Sequence, residues 1–83
     1  MSKYTPLADY LRNQTTQRLT LTFRQIEGIL GCPLPPSAYK HRPWWANEAE
    51  GNHVQTAGWL AAGWQTADVD MRGQNVTFVR LIA

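Results

Sequence analysis

Cysteine occurs once in the 83-residue chain, at Cys32, so no disulfide can form within it. Small secreted domains normally depend on several bridges, and the expected compartment is therefore a reducing cytoplasm. Long apolar runs are missing as well. No stretch approaches the roughly twenty apolar residues of a membrane span. The opening MSKYTPLADYLRNQ carries polar residues where the apolar run of a signal peptide would stand, so no membrane partner is expected. Charged residues make up only 17% of the chain, too few for a disordered polyelectrolyte. The net charge of +2 permits an anionic partner without requiring one.

The motifs of common chemistry are absent too. There is no phosphate-cradling glycine loop, no HExxH and no GxSxG. Cys32, His41 and His53 are the only thiol and imidazoles, and their spacing does not supply the four ligands of a structural zinc site. Cys32, between Gly31 and Pro33, reads as a small packing residue. Glu48 and Glu50 stand two residues apart in an acidic loop, where solvated charge is the default. The chain is therefore expected not to be an enzyme and to hold neither cofactor nor metal.

What the chain has in excess is tryptophan, four in 83 residues. A chain this short supports one domain with a small core, and large aromatic side chains make up the missing volume. Thr5-Pro6 marks a helix start, with Leu7, Tyr10 and Leu11 on one face. Arg18 to Thr22 alternates as a half-buried strand. Thr22 and Gln25 form a capping box for a helix whose apolar stripe is Phe23, Ile26, Ile29 and Leu30 and whose stop is Gly31. Asn52 caps a further helix to about Ala62, with Gly63 as its stop. Its apolar side is expected to be Val54, Ala57, Leu60, Ala61 and Trp64, leaving Gln55, Thr56, Trp59 and Ala62 outside. The remainder is a hairpin turning at RGQN.

Between these helices lies Cys32 to Asn47, CPLPPSAYKHRPWWAN, a connection of roughly sixteen residues where two to eight are usual. A short helical turn around Ser37 to Lys40 is expected inside it. Helix, strand, helix, long connection, helix and hairpin is an α+β order. It matches the winged helix, with the residues from Asn52 to Ala62 as recognition helix and those from Arg72 to Asn75 as wing tip.

The succession LTFRQIEGILG, LPPSAYKHRPWWAN, GWLAAGW and VTFVR resembles a family of small bacterial domains of unknown function. The resemblance covers nearly the whole chain and is specific in its order of motifs. It implies a single domain, 1–83, and brings no established activity with it. The chain departs from the family pattern at Gly58, where alanine precedes the tryptophan, at a cost in helix stability of about 1 kcal/mol.

The expected function is DNA binding, as a small transcriptional regulator or as the recognition module of a larger system. Gln55 can pair with adenine, Thr56 can meet a phosphate or a thymine methyl, and His53 sits where helix amides favour phosphate. Lys40, His41 and Arg42 precede that helix, and Arg72 occupies the wing tip. Double-stranded DNA is the expected partner, although Asp68 and Asp70 on the hairpin count against it. Trp44, Trp45 and Trp59 can stack on an unpaired base or form an interface with a partner or second copy. Equally, Trp44 or Trp45 can lie over the last helix and bury Trp59. The rival function is therefore a protein-interaction module, including a homodimer, using an exposed aromatic loop.

Overall fold

The structure, a computed structural model, describes residues 2–48 and 54–81. Its elements are α1 (Thr5–Arg12), β1 (Arg18–Thr22), α2 (Phe23–Leu30), α3 (Pro36–Lys40), a 3₁₀ turn (Arg42–Trp45), α4 (Val54–Ala61), β2 (Trp64–Asp70) and β3 (Asn75–Arg80). The class is α+β, with an antiparallel sheet ordered β1-β3-β2. None of the described helices is long and apolar enough to cross a membrane. The expected cap Asn52 lies outside the described residues.

Local chemistry sets most boundaries. Thr22 Oγ1 accepts from Gln25 N–H at 3.0 Å, and the Thr22 N–H donates to Gln25 Oε1 at 2.8 Å, the reciprocal box that starts α2. Gly31 ends it at φ +76°, where a side chain is disfavoured. In α1 the cap position is Tyr4 rather than Thr5, and no side chain caps the helix. Its inner face is Leu7, Ala8 and Leu11; Tyr10, expected inside, is exposed.

β3 is central, and three successive residues of it, Val76, Thr77 and Phe78, are buried. Leu21 pairs with Val76, Leu19 with Phe78, and the Thr20 and Thr77 hydroxyls meet at 2.8 Å. β2 pairs with β3 through an irregularity between Thr66 and Asp68. Around this extra residue Thr66 is buried and Ala67 exposed, while beyond it Val69 is buried between exposed Asp68 and Asp70.

The core is built along an aromatic chain. Phe23 stacks on Trp45 with ring centroids 4.9 Å apart, Trp45 on Trp59 at 6.1 Å, and Trp59 meets Phe78 edge-on at 5.7 Å. Trp44 adds an edge contact to Trp45 at 4.6 Å and another to Tyr4 at 5.8 Å. Such offset and edge contacts add to simple area burial. The connection between α2 and α4 therefore supplies the middle of the core.

Candidate nucleic-acid interface

α4 faces the opposite way from its expected orientation. Gln55, Thr56, Trp59 and Ala62 are buried, whereas Val54, Ala57 and Ala61 are exposed; of the expected apolar side Leu60 is half-buried and only Trp64, which opens β2, is fully inside. The cause is the connection packed against it, whose short turns leave carbonyls needing donors. Gln55 Nε2 donates to Trp44 O at 3.0 Å, and Thr56 Oγ1 donates to Ala46 O at 2.8 Å. Polar side chains on the inner face thus satisfy backbone that cannot pair with itself. The expected readout by Gln55 and Thr56 is corrected accordingly: at 4% and 1% exposure neither reaches a base edge. His53 lies outside the described residues.

The aromatic surface is corrected in the same way. Trp45 and Trp59 are each 1% exposed and cannot present a face to a base or a partner. Trp44 is half-buried between Tyr4 and Trp45. Of the two readings of this segment, the lid over the last helix is the one found.

Asn47 fixes the lid. Its Oδ1 accepts from Trp59 Nε1 at 3.1 Å and from Thr66 N–H at 2.8 Å, while its Nδ2 donates to Thr66 O at 2.7 Å. Thr66 Oγ1 lies 2.7 Å from Trp45 O and 2.9 Å from Asn47 Oδ1. Sequence reasoning passed over Asn47 as a site residue. The signal was its place directly after two tryptophans and one alanine, where a carboxamide can tie a loop to a strand.

The cationic residues behave otherwise. Lys40 ends α3, His41 and Arg42 follow it, and Arg72 stands in the turn between β2 and β3; all four are exposed. Arg42 Nη1 donates to the Val69 carbonyl, three residues before Arg72, which brings the loop to the hairpin. At the turn, Phe23 N–H donates to Gln74 O at 2.8 Å, so the exposed Arg24 of α2 starts beside the tip. Tyr39 closes the circuit. Its ring meets Phe23 at 5.2 Å. Burial, then the hydrogen bond and charge of Glu27, push its hydroxyl above the ordinary tyrosine range, with Arg24 pulling it down. Arg24, Lys40, His41 and Arg42 thus lie on or beside elements that the Arg42–Val69 and Phe23–Gln74 bonds tie to the β2–β3 hairpin, whose turn carries Arg72. Arg24 was not singled out in the sequence because it is distant from the others along the chain.

Acidic groups stand on the same elements. Asp70 Oδ1 accepts from Gly73 N–H at 2.8 Å and shapes the tip, and Glu27 Oε2 accepts from Leu34 N–H at 2.8 Å. Asp68 is exposed on β2. Arg80 is engaged elsewhere: its guanidinium lies 4.6 Å from the Trp64 ring and donates to Gln14 O. Arg12 pairs with Asp9 at 2.8 Å on α1. Among the described residues no three metal-ligating side chains come together.

A family model described as a domain of unknown function, DUF7662, matches residues 4–81. No curated protein and no solved structure matches the chain.

Proposed function

The chain belongs to this DUF7662 family, a premise that brings no activity with it, and we propose that it is a small DNA-binding protein gripping the phosphate backbone. The observation that carries the proposal is this set of cations. Arg24, Lys40, Arg42 and Arg72, with His41, are exposed and drawn together by the Arg42–Val69 and Phe23–Gln74 bonds. Arginine and lysine side chains arranged so position a protein on a duplex without reading its sequence.

The central place of β3 supports a winged-helix reading, with α3 and the 3₁₀ turn as an insertion between α2 and α4, and in that reading the turn carrying Arg72 is the wing. α4 then serves as a core helix rather than a reading helix, its outer face being Val54, Ala57 and Ala61. Such a module suits a small regulator or a DNA-holding part of a larger assembly. The double variant Lys40→Glu with Arg72→Glu is expected to lose duplex binding, whereas Arg12→Glu on α1 is expected to keep it. Equal loss in both would contradict the proposal.

A second reading has one observation in its favour. Thr5, Ala8, Val54, Ala57, Gly58 and Ala61 line a shallow apolar groove of about 310 Å³ between α1 and α4. A protein-interaction module would use this groove rather than the aromatic loop. Sedimentation that changes with concentration in a dilute, DNA-free sample would support it.

A further inference from the structure

An open cleft of about 420 Å³ lies between the 3₁₀ turn and β2. Pro43, Ala46, Ala67 and Val69 give it apolar walls, and Arg42 and Asp68 bring it one charge of each sign. Its size is within the range of small-ligand sites, which combine apolar walls with a few placed polar groups.

A nucleobase has this pattern: two apolar ring faces and an edge bearing both donors and acceptors. The walls suit the ring faces. Asp68 can accept from an exocyclic amine, and Arg42 can donate to a ring acceptor or to the adjoining phosphate. The Val69 carbonyl takes one of the several N–H donors of Arg42 and so holds its guanidinium beside the cleft. Asp68, a liability if the surface met phosphates alone, has a partner if it meets a base edge.

We infer that this cleft receives one unpaired or flipped base, carrying an exocyclic amine, of a DNA strand whose phosphates lie on the cationic residues. A base stacked within a duplex cannot enter it. The inference rests on the DNA-binding reading and adds the element recognised.

The test compares two labelled duplexes, one fully paired and one with a single bulged 2-aminopurine. The bulged duplex is expected to bind about tenfold more tightly, since an unpaired base escapes most of the cost of unstacking. Ala67→Trp places an indole at an exposed cleft position and is expected to abolish the preference without changing affinity for the paired duplex. Asp68→Ala, also at an exposed position, is expected to reduce the preference even if Ala67→Trp does not fold. Equal affinity for the two duplexes, or a preference that both variants keep, overturns the inference and leaves the DNA-binding reading standing. No binding to either duplex overturns both.

Discussion

The side-chain amide of Asn47 pairs with the peptide groups of Thr66 as a neighbouring strand would, donating to its carbonyl at 2.7 Å and accepting from its N–H at 2.8 Å. β2 is an edge strand, and an unpaired edge is an invitation to aggregation. One carboxamide from the long connection closes it at Thr66, and Arg42 covers the Val69 carbonyl further along. The same carboxamide receives the Trp59 indole N–H, so edge protection and core assembly depend on one residue.

Asn47→Ala is expected to destabilise the fold by about 3 kcal/mol, because Thr66 and the Trp59 indole lose partners in places water reaches poorly. For a domain of this size that lowers the melting temperature by roughly 15 °C, measurable by calorimetry. Asn47→Asp keeps one acceptor but sets its second carboxylate oxygen against the Thr66 carbonyl, acceptor against acceptor, so it is not expected to recover the loss at neutral pH.

Gly58→Ala is expected to stabilise the protein by about 0.5–1 kcal/mol, read as a higher urea midpoint with an unchanged slope. Gly58 lies inside α4, and an added Cβ would sit 3.6 Å from Tyr4 Cβ, an ordinary contact. The departure from the family pattern at this position therefore meets no steric demand for glycine.

Tyr4 gives a pH dependence with a definite sign. Burial, and then the charge of Cys32, raise its hydroxyl pKa above 10.0. The folded state thus keeps a proton that the unfolded chain releases. The contribution is complete below the unfolded value and is lost as pH rises through the folded one. Urea midpoints should be unaffected by this group up to about pH 9 and fall as pH rises through and above about pH 10, and Tyr4→Phe should fall less. An equal decline in both proteins would remove Tyr4 from the effect.

Local features of the fold were legible in the sequence, and the burial of one helix was not. The Thr22–Gln25 box, the Gly31 stop, the alternation of β1 and the hairpin depend on residues close together in the chain. The short helix around Ser37 to Lys40 was legible for the same reason. The face of α4 depends on contacts ten to twenty residues away. Gln55 and Thr56 look like surface residues until Trp44 and Ala46 bring carbonyls to them, and Val54 looks like core until the indole of Trp59 takes the inner side. For the site, the run Lys40 to Arg42 and the tip residue Arg72 were legible as cations. Their grouping with Arg24 was not, because it is made by the Phe23–Gln74 and Arg42–Val69 bonds.

The DNA-binding proposal is tested most directly by fluorescence anisotropy of a labelled duplex at 50 mM and 200 mM salt. With about four phosphates neutralised by Arg24, Lys40, Arg42 and Arg72, affinity is expected to fall about a hundredfold over this range. Replacing Lys40 and Arg72 by alanine should roughly halve the logarithmic salt slope. No binding at the lower salt, or binding whose strength and slope ignore these substitutions, would contradict the proposal.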